Sequence, residues 1–320
     1  MAIHWFDDGP AEPARVGGKG ASLLAMQRAG LPVPPGFCIE AESYRRFHEA
    51  AGLAPLVGAL SGATDLTSAM GAADAVAPID RRLDGAALPD DVRSEIALAY
   101  QRLCEERPGV RLVAVRSSAV GEDGADASFA GVYDTFLHLR GSERVTNAVL
   151  DCYRGLWRER AVQYRASRGV AQEAEEMAVV VMAMVPSEVS GVAFSTNPIS
   201  GDAGEVLINA SWGLGEAVVS GQVTPDTVVA AKATGRTLAY EIGDKTLEIV
   251  LDERAGSGTC SLRVEADRAT VPCLSSEDVQ AIRDLACAAE SHYGTPQDIE
   301  FARASGTWYL LQSRPITGLG

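Results

Sequence analysis

Apolar residues recur along the 320-residue chain with two different periods, and the switches between them mark out the elements. In "LPDDVRSEIALAYQRLCEERPG", Val92, Ile96, Tyr100 and Leu103 fall on one helical stripe. Asp90 or Asp91 is placed to cap it and a Pro-Gly pair to stop it, so the spacing predicts an amphipathic helix. "GGKGASLLAMQRAG" predicts a glycine-led helix that closes at Gly30, because the prolines of the following "LPVPPGF" forbid continuation. Residues 142–165, rich in arginine (Arg154, Arg158, Arg160, Arg165), predict one more helix, and residues 276–292 another. "MAVVVMAMV" at 177–185 is a continuous apolar run and reads as a buried strand. Val113 to Arg116 and Val132 to Leu139 read as strands around a loop of small and polar residues. "PSEVSG" ends the apolar run, and beyond it come short strands, Gly-Asp and Gly-Ser turns and a closing hairpin. The pattern is mixed α/β, or α+β, with a division expected between 1–186 and 187–320.

Composition narrows the class. At 47% hydrophobic and 22% charged, the chain has enough apolar residues for a large core, expected in two units. A net charge of -15 argues against nucleic acid or an anionic membrane as partner, while leaving room for a local basic pocket. "MAIHWFDDG" has neither the basic start nor the apolar stretch of a signal peptide, so a cytoplasmic location is expected. Six cysteines without a Cys-x-x-Cys pair and four scattered histidines do not suggest zinc; reduced, buried thiols are expected.

Four stretches carry candidate chemistry. "VRSSAVGEDGADASFAGVYDTF", residues 115–136, has the small residues and hydroxyls that let a backbone wrap phosphate oxygens, with Arg116 at its entry; an ordinary surface turn is the alternative. Lys19 follows Gly17 and Gly18 at a helix start, where free N–H groups favour an anion; an exposed lysine is the alternative. "NASWGLGEAVVSGQVTPD" is a second glycine-rich stretch, with Glu216 and Asp226 as candidate cleft-wall residues. The last is "PQDIEFARASGTWYLLQSRPIT", two strands joined at Ser305-Gly306. If the turn carries a one-residue bulge, Glu300 lies opposite Gln312 and Asp298 opposite Arg314, while Ile299, Phe301, Tyr309 and Leu311 line the other, buried face. A plain two-residue turn would separate Glu300 from Gln312. Oxygen ligands beside an arginine suit a magnesium nucleotide; a solvated Glu-Arg pair across the strands is the alternative.

Six motifs taken together, "VGGKGASLLAM", "VPPGF", "VRSSAVGED...SFAGVYDTF", "SGVAFSTNP", "ASWGLGEAVVSGQVTPD" and "PQDIEFA...WYLLQSRPIT", resemble the ATP-binding domain of the phosphoenolpyruvate synthase, pyruvate phosphate dikinase and rifampicin phosphotransferase family from Val16 to Thr317. The resemblance implies a two-lobed ATP-grasp fold and ATP with Mg2+ as cofactors. By the same resemblance Lys19 and Arg116 contact phosphates, Gly131 and Thr135 belong to the glycine-rich phosphate loop, a lid over the nucleotide, Glu300 and Gln312 bind the metal, and Arg314 is catalytic. Met182 stands where the family's hinge strand usually has glutamine, which puts polar contacts to adenine in doubt.

The family passes a pyrophosphoryl group to a histidine on a swivelling domain and releases AMP; the histidine, after losing phosphate, delivers its remaining phosphoryl group to a small molecule, an antibiotic or a pyruvate-like acceptor. None of the four histidines has the family's acceptor setting, so a histidine domain on another chain, or on a missing downstream segment, is expected as partner. A stand-alone ATP-grasp kinase or ligase, and a nucleotide-binding regulatory module without turnover, are the other readings.

Overall fold

The computed structural model describes residues 2–60, 62, 65–107, 109–121 and 132–317. These form two units, the first from residues 1–21 and 35–183, the second from residues 22–34 and 184–320.

The first unit is built on an antiparallel sheet of β1 (Ile3–Trp5), β2 (Gly36–Ile39), β3 (Val113–Ala119), β4 (Thr135–Leu139) and β5 (Met177–Ala183), in the order β1-β2-β5-β3-β4. The period-two alternation of its strands sorts side chains onto two faces. Phe37, Ile39, Val113, Val115, Met177, Val179 and Val181 point to the core. Cys38, Ala114, Arg116, Ser118, Val180 and Met182 alternate with them and so share the opposite face.

Helices cover the core face: α2 (Ala41–Ala50), α3 (Ala54–Leu60), α4 (Ala69–Leu83), α5 (Asp90–Glu106), α6 (Ser142–Gly155) and α7 (Glu159–Ser167). The stripe expected on α5 is buried as Val92, Ile96, Tyr100 and Leu103. The single helix expected over 142–165 is two helices. Leu156 and Trp157, both buried, occupy the break, and the chain re-enters a helix after Arg158 with extended backbone. Each such side chain taken fully from water contributes roughly 1.5–3 kcal/mol.

Helix α1 (Pro13–Arg28) lies partly in each unit and breaks its helical geometry at Gly17, where φ is 69°. A Cβ at Gly17 would collide with the Ser118 carbonyl, so both the left-handed backbone and the close approach demand glycine. Gly17→Ala is expected to destabilise the first unit by about 1–3 kcal/mol, read as a lowered midpoint in urea unfolding. An unchanged midpoint would show that the contact is dispensable.

The second unit has the antiparallel order β13-β12-β6-β7-β8-β9, from β6 (Val189–Phe194), β7 (Glu205–Trp212), β8 (Asp226–Ala231), β9 (Thr237–Glu241), β12 (Gln297–Ala304) and β13 (Thr307–Pro315). A separate hairpin joins β10 (Leu247–Leu251) and β11 (Thr259–Arg263). Short helices α8 (Glu216–Val219) and α9 (Ala266–Ala269) fill connections, and α10 (Ser276–Tyr293) packs along the sheet. A reciprocal cap between Ser275 and Asp278 starts α10, and Gly294 in the left-handed conformation ends it.

The sequence reading placed all of 1–186 together, whereas residues 22–34 pack with the second unit. There Leu310 donates its N–H to the Pro32 carbonyl at 2.9 Å and Ser22 donates to the Ser313 carbonyl at 2.8 Å. Among the described residues, no helix is long and apolar enough to cross a membrane.

Candidate functional site

In the second unit the terminal hairpin sets the geometry. Ser305 and Gly306 both have positive φ, 49° and 75°, as a two-residue turn of the type matched to strand twist requires. Ala304 therefore pairs directly with Thr307, and the register continues as Ala302 with Tyr309 and Phe301 with Leu310. It then shifts by one residue, so that Glu300 pairs with Gln312 and Asp298 with Arg314. The bulge thus lies at Leu311, in mid-strand and away from the turn. Glu300, Gln312, Asp298 and Arg314 share one face, as expected.

The expected buried face needs correction. Ile299 and Phe301 are buried, but Leu310 joins them in place of Leu311, because the shift comes after the 301–310 pair. Tyr309 and Leu311 pack instead with Ala302, Ala304 and Val185. Arg303 faces the other way, where it binds Asp278 of α10 at 2.7 Å.

Arg314 donates through Nε and Nη2 to one oxygen of Asp298, at 2.9 and 2.8 Å. Burial pushes the Asp298 carboxyl above its ordinary range; the Arg314 guanidinium partly offsets this, and nearby Glu300 adds to the rise. Two carboxylates facing one guanidinium leave a local excess of negative charge. That excess, with the amide oxygen of Gln312, is a hard-oxygen donor set that fits magnesium. Among the described residues no group of three or more His, Cys, Asp or Glu would hold a metal unaided, so phosphate oxygens and water would have to complete such a shell.

The same sheet row continues from Gln312 and Glu300 through Val192 and Asn209 to Thr227. Asn209 was passed over in the sequence because nothing local distinguishes it; its Oδ1 accepts from the Thr227 hydroxyl at 3.0 Å. Asp226, expected on a cleft wall, is instead fully buried. Its carboxylate accepts from the Lys245 ammonium, the Gly243 and Cys273 N–H groups and the Tyr240 hydroxyl. Every lone pair is spent on the fold, so a ligand role is ruled out. Glu216, in α8, accepts from the Thr259 hydroxyl at 3.1 Å.

In the first unit, α1 is laced to β3. The Gly20 N–H donates to Ser118 Oγ at 3.1 Å, Ser118 Oγ donates to the Val16 carbonyl at 2.9 Å, and Lys19 Nζ donates to the Ser117 carbonyl at 3.1 Å. Arg116 and Ser118 alternate onto the same face, and Arg116 sits opposite Thr135 at the start of β4. Lys19, Arg116 and Thr135 are thus brought to the middle of β3, where Arg116 shares its face with Val180 and buried Met182. Two cations and a hydroxyl in that grouping suit phosphate oxygens, while Val180 and Met182 are closed off from solvent. Gly131, with the rest of 122–131, lies outside the described residues.

The histidines sit in packing or hydrogen-bonding roles. His4 meets the Gly9 carbonyl, His48 lies against the Tyr44 and Trp157 rings, His138 is buried, and His292 makes an edge contact with Tyr293.

Residues 13–320 match the family described as pyruvate phosphate dikinase, AMP/ATP-binding domain. The chain is 39% identical over 319 residues to a probable phosphoenolpyruvate synthase of Methanocaldococcus jannaschii, covering 99% of this chain and 27% of that protein. It is 39% identical over 321 residues to a probable phosphoenolpyruvate synthase of Methanothermobacter thermautotrophicus, covering 99% and 46%. It is also 41% identical over 317 residues to the prodigiosin synthesizing transferase PigC of Serratia marcescens, covering 99% and 33%. The chain therefore spans less than half the length of these relatives. Among solved structures, D-alanyl-alanine synthetase A of Vibrio cholerae is similar at 13% identity with a TM-score of 0.37, over 95% of this chain and 56% of that one.

Proposed function

Because the chain belongs to the pyruvate phosphate dikinase AMP/ATP-binding domain family, we propose that it binds ATP with magnesium and serves as the nucleotide-handling part of a dikinase-type phosphotransferase. Lys19 and Arg116 neutralise phosphate charge, and the Thr135 hydroxyl donates to a phosphate oxygen. Glu300 and Gln312 would hold magnesium, which when bound would supply positive charge to offset that of the phosphates. Arg314 stabilises the charge that develops as the group transfers. The acceptor is a histidine on a separate domain or chain. The histidine takes the pyrophosphoryl group as AMP leaves, its terminal phosphoryl is then lost as phosphate, and the remaining phosphohistidine phosphorylates a small molecule, an antibiotic or a pyruvate-like acid. The observation that carries this reading is the register that puts Glu300 opposite Gln312 beside the Asp298–Arg314 pair.

Two measurements test it. ATP with magnesium raises the melting temperature, since a ligand that binds only the folded state adds RT ln(1 + [L]/Kd). Glu300→Ala and Gln312→Ala shrink the magnesium-dependent part of that rise more than the part seen with chelator. Equal dependence on magnesium in both variants would remove these residues from the metal shell. Products decide the reaction. AMP and a phosphorylated histidine on an added histidine-domain polypeptide support the dikinase reading, and ADP with direct phosphorylation of a small molecule replaces it by a kinase or ligase.

A further inference from the structure

Three arginines at and just before α7 converge on two consecutive residues, Tyr133 and Asp134, just ahead of β4. Arg158 Nη1 is 2.7 Å from Asp134 Oδ2 and Arg160 Nη2 is 2.5 Å from Asp134 Oδ1. Arg165, with no exposed surface, donates to the Tyr133 hydroxyl at 3.2 Å, the Gln172 side-chain oxygen at 2.8 Å and the Leu156 carbonyl at 2.8 Å. Room for the carboxylate comes from Gly155, where a Cβ would stand 3.0 Å from Asp134 Oδ2. The Asp134 carbonyl accepts the Ser117 N–H at 3.1 Å, and the next residue, Thr135, is the one that pairs with Arg116.

We infer that Asp134, gripped by Arg158 and Arg160, is a positioning residue for polyphosphate: it fixes the start of β4 and thereby the placing of Thr135 against Arg116. This rests on the reading above that Arg116 and Thr135 contact phosphates. Stability alone explains the arrangement poorly. Both guanidiniums are about half exposed, at 47% and 51%, and ion pairs of that kind hold a fold only weakly. A hydrogen bond from Arg160 to Oδ1 and the Arg158 charge beside Oδ2 do restrict where the carboxylate sits, and a group that binds a transferring phosphoryl must be placed to within a fraction of an ångström. The consequence is selective. Loosening Asp134 should harm binding of the distal phosphates and leave contacts to the nucleoside and α-phosphate largely intact.

The test compares ATP and AMP, each with magnesium, by titration calorimetry on the whole chain. In the unaltered protein ATP binds more tightly than AMP. Asp134→Asn weakens ATP by about tenfold with AMP changed less than twofold, and Asp134→Glu, which restores the charge, recovers part of the loss. Arg160→Gln, at an exposed side chain that folding tolerates, shifts ATP in the same direction. Equal weakening of ATP and AMP, or no weakening of either, overturns the positioning role while leaving the proposed function standing. Failure of the unaltered protein to prefer ATP overturns both, and that result is visible before any variant is made.

Discussion

Asp226→Ala costs about 3–5 kcal/mol of folding stability, a large share of the 5–15 kcal/mol typical of a domain. The reason is what it leaves behind. Lys245 has no exposed surface and gives its ammonium to Asp226 and to the Gly243 carbonyl. Without Asp226 a buried positive charge is unmatched, and the Gly243 and Cys273 N–H groups and the Tyr240 hydroxyl lose an acceptor together. The pair is therefore expensive to break from one side, whatever its net worth when whole. Asp226→Asn combined with Lys245→Met removes both charges and keeps an acceptor oxygen, and should recover most of the loss. Urea unfolding followed by circular dichroism measures both. A single variant within 1 kcal/mol of the parent, on the scale of an ordinary surface change, would show that water reaches Lys245.

The same pair makes a pH signature. Burial alone would raise the Asp226 carboxyl, but Lys245 and the three other donors outweigh it and hold it below its usual value. An acid depressed in the folded state contributes stability above its unfolded pKa of about 3.9 and loses it as pH falls through the folded value. The parent should therefore lose stability below about pH 4 more steeply than the neutral double variant.

Much of this was legible in the sequence because pattern and chemistry agreed. The stripe on α5 and the apolar run of β5 each follow from a period that only one element satisfies, and the Glu300–Gln312 pairing follows from the chemistry that a bulged register brings together. The errors arose where tertiary contacts outrank local signals. A continuous helix over 142–165 fits propensity, but burying Leu156 and Trp157 requires the chain to turn between them and α7. Helices α2 to α4 carry mixed cues, including Pro78 inside α4, and their faces are set by the sheet they cover. Tyr309 and Leu311 were placed on the wrong face because a bulge reverses parity only beyond its own position, and sequence gives its existence more readily than its place. Asp226 resembled a ligand residue by its glycine-rich surroundings. Lys245, nineteen residues later, has no spacing that would announce its partner.

On the proposed function, Arg314→Ala is expected to slow phosphoryl transfer by about a thousandfold or more while leaving much of the ATP affinity. The guanidinium is held at one end of β13 by two bonds to Asp298, so it arrives oriented and pays little reorganisation when charge develops near it. In the proposed function its contribution is greatest in the transition state, and its loss is therefore expected to fall on turnover more than on binding. Removing it also strips Asp298 of the guanidinium that partly offsets its burial, and the carboxyl, already raised, rises further. Ion-pair loss and catalytic loss must therefore be separated. Asp298→Asn keeps the arginine and a hydrogen-bond acceptor but removes the carboxylate charge, and should reduce turnover far less than Arg314→Ala. Single-turnover formation of AMP in the presence of a histidine-domain acceptor, with ATP binding measured in parallel, gives the two quantities. Equal losses in the two variants would assign Arg314 to holding Asp298 in place. A loss of ATP affinity as large as the loss of rate would make it a ground-state phosphate ligand. A rate deficit confined to Arg314→Ala is the outcome expected of a group that meets the reacting phosphoryl.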